Sequence, residues 1–188
     1  MSEFDTSTTA IADIAGDYTI DPAHTRLGFV ARHAMVTKVR GNFDDFSGTA
    51  HIDTANPAAS KVDLTIAAAS VKTGNPDRDG HLLSADFFGA QDNPQITFSS
   101  TEVARDGATW TVTGDLTIKG TSKSVTIDFD EVGSAQDPFG NTRVGFEGGV
   151  TVNRSDWGLS FNAALETGGV LVSEKIKLEF DISAIKNV

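Results

Sequence analysis

From Tyr18 onward, apolar and polar residues alternate with a period of two. Leu27, Phe29 and Ala31 oppose Gly28, Val30 and Arg32; Val62, Leu64, Ile66 and Ala68 oppose Asp63, Thr65 and Ala67; Ile96, Phe98 and Ser100 follow the same rule. Successive side chains of an extended backbone point to opposite faces, so the alternation predicts half-buried strands. The second half of the chain repeats it. Trp110, Val112, Gly114, Leu116 and Ile118 oppose a threonine-rich face, and Val125, Ile127 and Phe129 follow the turn Lys119-Gly120-Thr121-Ser122. Further runs at Val144 to Val152 and Ile176 to Ile182, with the segment Val39 to Ile52, bring the total to about eight strands.

Clusters of Gly, Asn, Asp and Pro separate the runs: Asp53 to Pro57, Gly74 to Gly80, Gln91 to Pro94, Arg105-Asp106-Gly107, Asp137 to Asn141 and Gly168-Gly169. No linker divides them, which predicts one all-β domain over residues 17–185 behind an acidic, flexible leader at 1–16. One segment breaks the period. Asp77 to Phe88 spaces Leu82, Leu83 and Phe87 nearer to a helical repeat, with Asp77 or Asp79 as N-cap, and predicts a short helical lid between strands. Eight antiparallel strands can close into a barrel that is either filled by its own side chains or holds one narrow ligand. Gly28, Gly41, Gly48, Gly114, Gly145 and Gly148 fall inside strand patterns, where they mark barrel corners, lumen space, or both.

Composition narrows the function. Twelve Phe stand against two Trp and one Tyr, so the aromatic surface has few hydrogen-bonding handles and the interior reads as dry. The formal charge is −11 and the basic residues are scattered along the chain, which disfavours nucleic acid and anionic membrane surfaces as partners. With no cysteine there is no disulfide, thiolate metal site or Cys nucleophile. No stretch approaches the roughly 20 apolar residues of a membrane span. The N-terminus carries Glu3 and Asp5 where a signal peptide needs basic residues, so the expected location is cytoplasmic, without stable membrane insertion.

Tyr18 to Thr25 (YTIDPAHT), Val39 to Phe43 (VRGNF), Arg78 to Phe88 (RDGHLLSADFF), Pro94 to Phe98 (PQITF), Gly114 to Thr121 (GDLTIKGT), Asp137 to Phe146 (DPFGNTRVGF) and Asn153 to Leu159 (NRSDWGL) occur in order. Together they resemble the YceI-like, lipocalin-fold polyisoprenoid-binding family over Tyr18 to about Ala184. The resemblance implies an eight-stranded antiparallel, lipocalin-like β-barrel whose lumen takes the tail of a long isoprenoid or similar amphiphile, a quinone or prenyl lipid, with no other cofactor. It also leaves room for a homodimer through a strand edge or the lid. Many relatives are exported, and Trp157 stands where Phe is usual, a change expected to alter pocket volume slightly.

The expected lumen residues are Leu27, Phe29, Phe43, Leu64, Ile66, Phe98, Trp110, Leu116, Phe129, Phe146 and Phe161, each of which plain core packing would also explain. Arg78, Asp79, His81, Leu82, Asp86, Phe87 and Phe88 are the lid and head-group candidates. Burying one five-carbon unit yields roughly 4 kcal/mol before immobilisation costs. His24 and His33 lie an odd number of positions apart, which in one strand puts them on opposite faces and argues against a shared metal. Asn75, Asp77, Asp79, Gly80, Leu82 and Asp86 approach calcium-loop spacing, but Asp86 stands where the bidentate Glu belongs and a strand precedes the loop. The structural alternative has Asp79 and Asp86 capping and tying the lid with Arg78 as their partner. No catalytic motif appears. The remaining alternatives are an enzyme using the lid, metal-dependent or hydrolytic through His81, Asp79 and Ser84, and a protein-interaction barrel with a filled core.

Overall fold

A computed structural model describes residues 13–166 and 169–188. Eleven strand segments form one antiparallel sheet: β1 (Gly16–Ile20), β2 (Arg26–His33), β3 (Thr37–Phe43), β4 (Phe46–Ile52), β5 (Lys61–Ala67), β6 (Val71–Lys72), β7 (Gln95–Asp106), β8 (Thr109–Ile118), β9 (Thr121–Gln136), β10 (Thr142–Asn153) and β11 (Lys175–Lys186). The helix α1 spans Pro76–Leu83. The ring β1-β4-β5-β7-β8-β9-β10-β11 closes because β11 pairs with β1, and eight staves result. Closure leaves no open edge around that ring.

Three staves are bent, which accounts for eleven segments in an eight-stranded barrel. β1 continues into β2 across the turn at Asp21-Pro22, where proline lacks a ladder donor and the Asp21 carboxylate accepts from the Ala23 amide. The lower half of β11 meets β1 (Ile20 opposite Ala184) and its upper half meets β2 (Phe29 opposite Leu178). The expected single strand from Val39 to Ile52 likewise bends at Asp44-Asp45 into β3 and β4. β5 and β6 are separated by a single 3-10 turn, Ala68–Ser70.

The alternating faces match the expectation. Val112, Val125, Ile127, Val144 and Ala184 are buried on the inner side, while Thr111, Asp128, Thr113 and Thr126 form an outer ladder of side-chain hydrogen bonds. At the end away from the lid, Arg143 donates to Asp21 and Asp137, each at 2.7 Å, tying the β9–β10 turn to the β1–β2 turn. The Arg143 guanidinium holds the Asp137 carboxyl down at about 2 and lowers that of Asp21 as well.

Of the expected leader, residues 1–12 lie outside the described residues. Asp13 to Gly16 run onto the barrel, with Ile14 buried and its carbonyl accepting from the Tyr18 hydroxyl at 2.8 Å. Among the described residues, no helix is long and apolar enough to cross a membrane.

Candidate functional site

The barrel encloses a cavity of about 180 Å3, so its core is not filled by its own side chains. Leu27, Phe29, Phe43, Leu64, Ile66, Phe98, Trp110, Leu116, Phe129 and Phe146 all stand on its wall. So do Leu178, Phe180 and Ile182 of β11, Ile20 of β1, and Val112 and Ile127, which sequence reasoning left out. Their period-two spacing carried the same signal, but the choice of lumen residues favoured aromatic side chains over aliphatic ones. The polar tips of the wall aromatics are satisfied outside the lumen: Trp110 donates to Glu131 at 3.4 Å and lies beneath the Arg105 guanidinium at 4.8 Å. The wall is therefore hydrocarbon almost throughout.

The in-strand glycines have a specific use. Gly41 pairs across the ladder with Phe29, and Gly148 with Phe129; a side chain at either position would meet the partner's ring. Gly114 lies beneath the Phe98 ring in the same manner. Glycine thus lets three rings lie flat against the sheet instead of standing up into the lumen, so these positions create lumen space. Gly28 differs, because its outer side is covered by the Arg26 guanidinium. Gly41→Ala is expected to tilt the Phe29 ring inward, cost about 1–3 kcal/mol by overpacking and reduce uptake of a hydrophobic probe. Thermal melting and probe titration of the variant check this; unchanged uptake would count against the ring's role in shaping the lumen.

The lid covers the end of the barrel where β7 begins and β8 ends. Pro76 opens α1, and Asn75, not Asp77 or Asp79, is its N-cap, accepting from the Asp77 and Arg78 amides at 3.0 and 3.1 Å. The expected pairing of Arg78 with Asp79 and Asp86 is also corrected. Arg78 donates to the hydroxyl and carbonyl of Thr73, Asp79 accepts from the Thr73 amide, and Asp86 pairs with His81 at 2.9 Å. The cause is the helix's brevity: it ends at Leu83, so Asp86 lies in the following turns and faces back to His81.

Phe87 and Phe88 diverge. Phe88 reaches toward the lumen and meets Phe43 at 5.8 Å between centroids, and Phe43 in turn meets Phe29 at the same distance. Phe87 packs with His81 and Phe161 in a three-ring cluster, with centroids 5.0 to 5.4 Å apart. Phe161 therefore belongs to the lid and not to the lumen wall. After β10 the chain turns through Arg154–Trp157 and Gly158, whose φ of 76° suits glycine, and the segment that follows crosses outside the barrel end. Trp157 is also off the cavity wall, buried with its indole donating to the Leu116 carbonyl at 2.8 Å.

The YceI-like domain family is matched over residues 18–184. The chain belongs to that family. It is 41% identical over 175 residues to the protein YceI of Escherichia coli O157:H7, an alignment covering 92% of this chain and 88% of the relative. Among solved structures, BcnA of Burkholderia cenocepacia superposes with a TM-score of 0.75 at 27% identity, covering 87% of this chain and 98% of that one. A polyisoprenoid binding domain from Saccharophagus degradans, implicated in plant cell wall breakdown, has a TM-score of 0.67 at 19% identity, over 90% of this chain and 98% of that one. That last likeness is one of fold.

In this YceI-like barrel three of the four histidines, His24, His51 and His81, are occupied by neighbouring carboxylates. His24 pairs with Asp21 and His51 with Asp17, both at 2.7 Å. Among the described residues, no three His, Asp or Glu side chains come together as a metal site. The calcium spacing is taken up by the N-cap and the helix. The triad of His81, Asp79 and Ser84 is not assembled either. Asp79 is engaged with Thr73, and the Ser84 hydroxyl donates to the His81 carbonyl at 2.6 Å, away from the imidazole nitrogen that holds Asp86.

Proposed function

We propose that this YceI-like barrel binds a long-chain isoprenoid or similar amphipathic lipid, a quinone or prenyl lipid, in its lumen for sequestration, transport or storage. The observation that carries this reading is a cavity of about 180 Å3 whose wall offers almost no polar atom. An apolar cavity of about 150 Å3 stays dry and takes a benzene-sized guest. The lumen as it stands thus suits roughly one to two five-carbon units, and a longer tail runs past the rings toward the lid. At roughly 4 kcal/mol per buried unit, two units supply about 8 kcal/mol gross, most of which the costs of immobilisation offset, so tight binding requires further units of the tail to be buried toward the lid. The relative named for polyisoprenoid binding supports the choice of cargo.

The test is native mass spectrometry of the purified protein, with organic extraction of whatever it carries. The expected result is a bound species whose extracted mass and fragmentation are those of a prenyl lipid or isoprenoid quinone. If no amphiphile co-purifies and a hydrophobic fluorophore added to the protein neither brightens nor quenches Trp110 on the cavity wall, the carrier reading is overturned.

A further inference from the structure

A net charge of −11 describes the whole surface, but the fold sorts it. Six of the fifteen Lys and Arg residues are gathered by the β11-β2-β3 ladder. On its outer side Val30 lies between Lys177 and Arg40, Gly28 between Glu179 and Asn42, and Arg32 opposite Lys38. Arg26, Arg32, Lys38, Arg40, Lys175 and Lys177 consequently share one face. Glu179 sits in their midst and is divided among Arg26, Arg40 and Lys177 at 3.6 to 3.7 Å. Asp181 marks the lower margin opposite Arg26, with Glu147 of the adjoining β10 beside it, while Gly149 and Thr151, the β10 residues next to Glu179 and Lys177, carry no charge. Lys72 at the far edge is matched by Asp44 at 3.4 Å.

This cationic face ends in an apolar tip. The β2–β3 turn holds Ala34 and Met35 at φ of 50° and 65°, a left-handed pair without glycine, and the Ala34 amide is tied to the Leu171 carbonyl at 2.8 Å. The turn presents Met35 at 62% exposure and Val36 at 78%, with Val170 at 40%. The inner side of the same wall is Phe29 and Leu178, which line the lumen.

We infer that the β2–β3–β11 face is a docking surface for an anionic lipid bilayer, with Met35 and Val36 entering the interface and the cations above them meeting lipid phosphates. A nucleic acid would use the cations but leave the apolar tip without a partner; a bilayer takes both. The overall negative charge does not prevent it. The twelve residues of β11 span about 40 Å, whereas the Debye length is about 8 Å at physiological ionic strength. The carboxylates at the far end are screened from a membrane at this face. The surface stands independently of the cargo reading, although it would bring the lumen wall to the phase in which long-chain lipids dissolve.

The test is flotation of the full chain with vesicles of phosphatidylcholine alone and of an equal mixture with phosphatidylglycerol. The protein is expected to float with the mixed vesicles, not with the neutral ones, and to be released by added NaCl. At roughly fivefold per basic side chain, Lys38→Gln/Arg40→Gln should weaken partitioning about thirtyfold. Met35→Ser/Val36→Ser should weaken it as well, and both variants alter exposed positions only. Uptake of a hydrophobic fluorophore into the lumen should be the same in both, which separates this surface from the cargo reading. No flotation, equal flotation with neutral vesicles, or an unchanged charge variant overturns the inference. So does displacement from the vesicles by polyglutamate with the Met35/Val36 variant unaffected, which would point to an acidic protein instead.

Discussion

Phe98→Asp is expected to leave the barrel without retained lipid. Phe98 lies on the cavity wall between Leu64 and Leu116 on the neighbouring strands, its ring flat over Gly114. A carboxylate there faces a lumen with almost no polar group to pair with, and an ionised group so placed costs several kcal/mol. Carried over to a hydrocarbon tail that must lie against it, about 4 kcal/mol is a loss of roughly a thousandfold in affinity. The substitution also removes a buried ring, which by itself costs the fold about 3–5 kcal/mol.

A second variant separates these effects. Ala50→Phe, also on the wall, keeps the lumen apolar and fills part of the 180 Å3. It should fold as the parent does and carry little lipid. Extraction and mass spectrometry of both variants, alongside their melting curves, is the measurement. A folded Phe98→Asp barrel or an Ala50→Phe barrel with the parent's lipid content would remove the lumen from consideration as the binding site.

The largest stability effect outside the lumen is expected at Arg154. Its side chain is only 6% exposed, and burial lowers its pKa from the ordinary arginine value. It donates to three carbonyls, Leu159 at 2.5 Å, Ser173 at 2.9 Å and Val172 at 3.4 Å, and so fixes both ends of the segment that crosses the barrel end. Methionine fills similar space without donors and takes the side-chain donor from the Leu159 and Ser173 carbonyls, while Val172 keeps the Asn162 amide at 2.9 Å. Arg154→Met should cost about 3 kcal/mol and lower Tm by roughly 10 °C in a domain of this size. Limited proteolysis should then cut first between residues 159 and 174. Arg154→Lys should recover only part of the loss, because one ammonium cannot reproduce the guanidinium fork. A melting temperature unchanged in Arg154→Met would show that the segment is held by other contacts.

That clamp was not legible in the sequence. Arg154 was visible only as part of a family block, and its carbonyl partners carry no signal in residue type. Trp157 and Phe161 fall off the cavity wall for the same reason: the chain leaves β10 through the 3-10 turn Arg154–Trp157, with Trp157 inside that turn and Phe161 beyond Gly158, and no local period reports a direction in space. The lid was legible as a helix but not in its pairings. Asn75 could have been chosen as N-cap, since Pro76 follows it and proline favours the first helical position. Conversely, the wall residues of β2, β5 and β7 to β10 were readable one by one, because an extended chain puts every second side chain on the same face whatever surrounds it.

The sequence by itself therefore determined which residues form strands, which faces turn inward and where the turns fall, since these follow from local backbone geometry and a two-residue period. Tertiary structure alone decided that the lumen stays open, because this depends on whether Gly41, Gly114 and Gly148 lie beneath Phe29, Phe98 and Phe129 across the ladder. It also decided the electrostatics. Summed along the chain the charge is simply negative, but strand register brings Arg26, Arg40 and Lys177 around Glu179 from three separate strands. Such neighbours are set by long-range pairing, which composition and spacing do not encode.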